Sequence, residues 1–142
     1  MKEKIINQAV AYSTMPISLK HSINIGKWIK GENVDKAILK LQKVIEKELP
    51  LPCVKFNKDV AHKKGLGVGG RYPKNASKGV IKLLKLAKAN AKNKGMDESK
   101  LIINEFIANY AISKNKKARY KAAKSTHLKI GVVAEKWLKE SL

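Results

Sequence analysis

The stretch "HKKGLGVGGRYPKNASKG", residues 62–79, holds a Gly-x-Gly-x-x-Gly spacing at Gly65, Gly67 and Gly70. On a strand-to-helix turn, that spacing announces a doubly wound sheet that cradles a dinucleotide. The fingerprint needs an apolar strand entering the first glycine, a helix opening on the last, and an acidic residue about 20 positions on. Here His62, Lys63 and Lys64 lead in, and Arg71, Tyr72 and Pro73 lead out. No Asp or Glu occurs from Val60 to Met96. A Walker loop fails as well, because no Gly-Lys-Ser/Thr follows at the right distance. What is left is glycine backbone, able to approach another backbone closely and expose its N–H groups to phosphate. Lys63, Lys64, Arg71 and Lys74 flank it and would neutralise the charge. A merely solvated loop is the bland alternative; a loop that contacts nucleic acid is the preferred reading.

Charge over the whole chain points the same way. The 142 residues carry 31 basic and 11 acidic side chains, a net charge of +20. A domain that repels itself this strongly usually lives against a polyanion, nucleic acid first and an anionic membrane surface second. Only Arg71 and Arg119 are arginine. Lysine is a point charge suited to phosphate, whereas arginine's fork reads base edges, so backbone and shape contacts are expected over sequence readout. A hydrophobic content of 44% argues against a disordered tail and supplies one core for a single domain spanning residues 1–142.

Local patterns give an α+β domain. Ser18 is placed to cap a first helix through "LKHSINIGKWIK", which Gly31 ends. Val34, Ala37, Ile38, Leu41, Val44 and Ile45 form one apolar stripe of a second helix that begins after Asn33. Pro50 and Pro52 exclude helix, and residues 50–73 read as a Gly/Lys-rich loop insertion. A third helix over about 74–94 buries Ala76, Val80, Leu83, Leu84, Ala87 and Ala91, with Gly95 as its C-cap. Its other face carries a ridge of Lys74, Lys78, Lys82, Lys85, Lys88 and Lys92. "LIINEFIA" (101–108) and "HLKIGVVA" (127–134) are strand-like, with a basic hairpin between them over 109–126. Three helices with a small antiparallel sheet are expected.

A second acid-free segment runs from Phe106 to Ala134. It interleaves Lys114, Lys116, Lys117, Arg119, Lys121 and Lys124 with Tyr110 and Tyr120, a mixture suited to phosphate pairing plus base stacking. The alternative is tyrosines packed back on the sheet with lysines facing water. Catalytic constellations are weak. His21, His62 and His127 share no ligand spacing, Cys53 is alone, and acids for proton transfer are sparse. Neither an enzyme, a cofactor nor a metal is expected. Residues 1–16 contain no signal-peptide core and no segment approaches transmembrane length, so a cytoplasmic chain without membrane insertion is expected. A free-standing DNA- or RNA-binding architectural protein is the rival. It would favour a dimer interface and a recognition helix, neither of which is legible; no homo-oligomer is expected. The tail "EKWLKESL" (135–142) reads as an extra helix or a frayed end.

Four stretches in order resemble one family. "PISLKHSINIGKWIKGENVDKAI" is similar to the opening of large-subunit ribosomal protein twenty-two, through Ser18, Lys20, His21, Ile29, Lys30, Gly31, Val34 and Ala37. "ANAKNKGMDESKL" and "KSTHLKIGVV" resemble its middle and closing motifs. "LPCVKFNKDVAHKKG" with "GGRYPKNAS" resembles the insertion of archaeal and eukaryotic members, nearest the archaeal form. The resemblance implies a body of three helices and three strands on large-subunit ribosomal RNA, the third strand coming from a lead near Tyr12 to Ile17. It also implies neighbouring ribosomal proteins as partners, and a hairpin pointing toward the peptide exit tunnel and the nascent chain. The RNA-binding residues it supports, with the charge reading, are Lys20, His21, Lys30, Lys63, Lys64, Arg71, Tyr72, Lys74, Lys78, Lys82, Lys85, Lys114, Lys116, Lys117, Arg119, Tyr120, Lys121 and Lys124. The family's usual hairpin is longer, and its Pro-Arg-Ala-x-Gly-Arg tip has no clean counterpart. At roughly 3.3 Å per residue, arms of about eight residues reach about 25 Å.

Overall fold

A computed structural model of the chain describes residues 8–113 and 122–134. Its first strand, β1 (Gln8–Met15), alternates buried Ala9 and Ala11 with exposed Val10 and Tyr12, the pattern of a strand with one covered face. Pro16 follows, and the chain turns into α1 (Leu19–Ile29). Ser18 holds the N-cap position, but its hydroxyl makes no capping bond, so the expected cap is positional only. Helix α2 (Val34–Ile45) starts as expected, with the Asn33 side chain accepting from the Asp35 N–H at 2.9 Å.

The insertion is built rather than loose. Strand β2 (Leu51–Pro52) pairs antiparallel with β3 (Gly70–Arg71), Cys53 N–H donates to Gly69 O at 2.8 Å, and His62 bridges Gly69. Two of the three motif glycines turn the chain: Gly65 and Gly67 have φ of +83° and +67°, which side chains rarely adopt. Gly70 instead gives room, since a Cβ there would meet Lys63 Cγ at 2.8 Å and Pro50 Cβ at 3.1 Å.

Helix α3 (Lys74–Asn93) buries the expected Ala76, Val80, Leu83, Leu84, Ala87 and Ala91. A short 3-10 turn (Glu98–Lys100) leads into β4 (Leu101–Tyr110), which pairs with β5 (Thr126–Ala134). The main sheet has the order β1-β5-β4, antiparallel throughout, with a bulge in β4 between Ile103 and Glu105. Helices α1 and α3 lie against its inner face, where Ala9, Ala11, Ile103, Leu128, Ile130 and Val132 join the helical core residues. Helix α2 packs mainly on α3. The fold is α+β, three helices on a three-stranded antiparallel sheet, as the sequence indicates.

Candidate nucleic-acid interface

Residues far apart in sequence converge at the N-terminal end of α1. An open cleft of about 360 Å³ is lined by His21 of α1, Lys63, Gly70 and Arg71 of the insertion, and Tyr72 and Pro73 at the start of α3. The insertion is pinned there by Asn24, a buried side chain in the middle of α1. Its amide donates to Lys55 O at 2.9 Å and its carbonyl accepts from Lys55 N–H at 2.9 Å. Lys63 Nζ lies 5.6 Å from the Tyr72 ring centroid, and Lys20 Nζ lies 5.5 Å from that of Phe56. Both lysines therefore lie against aromatic rings. Beside this cleft a second cavity is lined by Ser18, Lys20, Tyr110, Lys124 and Thr126, where β4 ends and β5 begins.

The electrostatics at this end of the molecule favour an anion. The N-termini of α1 and α3 have no acidic residue in their first turns, and neither is closed by a side-chain cap. The partial positive charge at these helix ends favours a bound anion. Lys20 and Lys74 add like charge at these very ends, an arrangement that costs the free protein stability and suits one that meets phosphate. Among the described residues four lysines pair with carboxylates: Lys88 with Asp35 at 2.8 Å, Lys92 with Glu98 at 3.1 Å, Lys129 with Glu105 at 3.0 Å, and Lys40 with Glu32. None is among the expected RNA-binding residues. Lys20, Lys30, Lys63, Lys64, Arg71, Lys74, Lys78, Lys82, Lys85 and Lys124 have no carboxylate within 4.0 Å among the described residues.

Burial first, then the charges of Arg71 and Lys124, hold the His21 imidazole below its ordinary value of 6.5, so it is neutral at pH 7. The unfolded chain therefore takes up the proton before the folded one does. Stability conferred by neutral His21 is complete above about pH 6.5 and is lost as pH falls from there toward the lower folded value. Urea unfolding at pH 7 and pH 5.5 should show a smaller acid-side loss for His21→Asn than for the native chain. Equal losses would mean that His21 is not held neutral.

The expected residues do not all meet. His21, Lys63, Arg71 and Tyr72 line the first cleft, and Lys20 and Lys124 the second. Lys74, Lys78, Lys82 and Lys85 continue along α3 as an exposed row, whereas Lys88 and Lys92 of the same ridge are taken up by Asp35 and Glu98. Lys30 lies at the far end of α1, beside Gly31, Ile102, Ile103 and Asn104. Lys114, Lys116, Lys117, Arg119, Tyr120 and Lys121 lie outside the described residues. Phe56 and Asn24 join the site, although the sequence does not single them out as RNA contacts; Tyr110 joins it too, as an aromatic that the sequence offers for base stacking. Tyr110 alone carries a signal, as an aromatic within an acid-free run, and it is 80% exposed. No group of His, Cys, Asp or Glu able to hold a metal ion occurs among the described residues, and none of their helices is long and apolar enough to cross a membrane.

Comparison with known proteins agrees with this architecture. A family model described as ribosomal protein L22p/L17e matches residues 10–129. A large ribosomal subunit protein uL22 of Nanoarchaeum equitans is 37% identical over 143 residues, covering 92% of this chain and 80% of that protein. The protein of the same name from Archaeoglobus fulgidus is 40% identical over 98 residues, covering 68% of this chain and 63% of the relative. That of Methanococcus aeolicus is 42% identical over 98 residues, covering 68% and 64%. In these last two the matched part is just under two-thirds of the relative's length.

Proposed function

Because this chain belongs to the ribosomal protein L22p/L17e family, we propose that it is a structural constituent of the large ribosomal subunit that binds and organises large-subunit RNA in the cytoplasm. Its role is architectural and not enzymatic. The apolar faces hold one rigid body, and that body sets cations from α1, the insertion and the hairpin base against phosphates of several RNA segments. The observation that carries this reading is the convergence of His21, Lys63, Arg71 and Tyr72 on one cleft, with no carboxylate near its cations among the described residues. Neighbouring ribosomal proteins are its other partners, and the 109–126 hairpin points toward the exit tunnel, where the nascent chain is a further contact.

Full-length protein mixed with large-subunit RNA should co-sediment through a gradient at moderate salt. With six to ten phosphate contacts, affinity should fall about 10³–10⁵-fold between 50 and 200 mM salt, somewhat less where the RNA is single-stranded. Equal affinity for random duplex DNA would favour a free-standing architectural protein and overturn the assignment.

A further inference from the structure

Among the described residues, three that are not glycine have a left-handed backbone: Lys47, Phe56 and Asp59, with φ of 66°, 56° and 59°. Lys47 follows the end of α2, where its N–H donates to Val44 O at 3.2 Å, an ordinary place for this conformation. Asp59 has a short polar side chain that tolerates it. Neither reason applies to Phe56, whose bulky side chain disfavours such a backbone. The residue before it supplies the restraint. Asn24, buried in α1, takes both the C=O and the N–H of Lys55 at 2.9 Å each, and so fixes the backbone from which Phe56 leaves. The ring set in place this way is still 52% exposed. A chain that holds an unfavourable backbone and gains only a half-covered ring points to a contact made outside the free protein, since strain of this kind gathers at ligand clamps.

The cations around this ring select its partner. Lys20 Nζ lies 5.5 Å from the ring centroid, and Lys55 and Lys58 flank Phe56 in the same exposed loop. None of the three has a carboxylate within 4.0 Å among the described residues, the loop's own Asp59 included. An apolar protein segment laid on the ring would strip water from the Lys20 ammonium and leave it without a partner. An acidic segment would satisfy the ammonium but bring nothing flat to the ring. A nucleotide supplies both, a base for the ring and a phosphate for the amine. Resting on the RNA-binding function proposed above, we infer that Phe56 is a stacking residue: an unpaired base of the large-subunit RNA lies on its ring, and Lys20 holds a neighbouring phosphate. Any base serves, because each has a π face. The ring is already placed, so the stack costs little further conformational entropy.

The test uses the full chain with large-subunit RNA, with a mixed-sequence single-stranded oligoribonucleotide, and with the same sequence annealed into a duplex. Phe56→Gly should bind the first two about 5- to 150-fold more weakly than the native chain, the loss expected for one stacked base. Its affinity for the duplex should match that of the native chain. The salt slope of Phe56→Gly should be unaltered, since no charge is removed, whereas Lys20→Gln should lower the slope by about one unit. Glycine adopts a left-handed backbone freely, so the thermal midpoint of Phe56→Gly should not fall below the native value. Phe56→Asn, which also tolerates this backbone, should behave in the same way. Phe56→Tyr keeps the ring and should bind as the native chain does. Undiminished single-strand affinity in folded Phe56→Gly overturns the assignment. A midpoint that falls in both Phe56→Gly and Phe56→Asn overturns it too, because the ring would then be a packing element. The same holds for a Phe56→Gly variant that binds every RNA normally yet fails to join large subunits, which would put a protein neighbour on the ring. A native chain that fails to bind large-subunit RNA at all sinks the ribosomal function itself, a separable result.

Discussion

Glutamate at Lys63, Arg71 and Lys74 together should lower affinity for large-subunit RNA by about 10³-fold at physiological salt while leaving the thermal midpoint almost unmoved. A hydrogen bond to a charged group contributes about 1.5–3 kcal/mol, so removing each such bond to phosphate should weaken binding at least tenfold. The salt slope should shrink by about one unit per residue. Folding is spared for reasons visible in the structure. None of the three pairs with a carboxylate among the described residues, so no native ion pair is broken. Lys63 loses its place over Tyr72, worth about 0.5–1 kcal/mol at an exposed site. Against that, glutamate at position 74 enters the first turn of α3, where a negative charge gains about 0.3–1 kcal/mol. Reversing Lys40, Lys88 and Lys92 makes the same change in net charge but breaks three ion pairs. That variant should lose stability and retain most of its RNA affinity. Filter binding of both triple variants across a salt series decides the matter. Equal losses would mean that the protein binds as a diffuse polycation and that the cleft has no special part.

The contrast between those two triples shows how far the sequence can be read. Acid-free runs mark where RNA would lie, because charge is a sum that needs no coordinates. The partners of Lys88 and Lys92 are invisible there, because Asp35 reaches α3 only after the helices pack and Glu98 only once the chain turns back after α3. The three helices are legible from apolar stripes, from the Asn33 cap and from Gly95, whose φ of +74° suits a helix end. The third strand is expected near Tyr12 to Ile17, whereas β1 spans Gln8–Met15 and stops at Pro16. A half-buried edge strand shows weak alternation, and Thr14 and Tyr12 give no sign of which face they occupy. Asn24 looks like an ordinary mid-helix polar residue, yet it fastens the insertion across 31 positions. The stack of Tyr12 on His127 depends on β1–β5 register between residues 115 positions apart. Local pattern carries no such information; only the closed sheet does.

Gly26→Val should destabilise the domain by about 3 kcal/mol, at the upper end of the cost of overpacking. The reason is space rather than backbone freedom, since Gly26 sits within α1 and is not among the glycines of positive φ. A Cβ at this position would run into the Phe106 ring, with Cε1 at 2.7 Å and Cγ at 2.9 Å and Cδ1 nearer still. The two elements cannot simply part. Gly31 N–H donates to Ile103 O at 2.8 Å and Ile103 N–H to Glu32 O at 3.0 Å, so the end of α1 is tied to β4 close to the clash. Valine's better helix propensity returns only a few tenths of a kcal/mol relative to glycine. For a domain of this size the thermal midpoint should fall by about 10 °C. Phe106→Ala alone should also destabilise, but in the Gly26→Val background it opens the very room the new side chain needs. The double variant should therefore be less destabilised than the sum of the two single changes by about 1 kcal/mol or more, as expected for residues in contact. Strict additivity, or a Gly26→Val midpoint that stays at the native value, would mean that helix and strand are not held together as tightly as this packing requires.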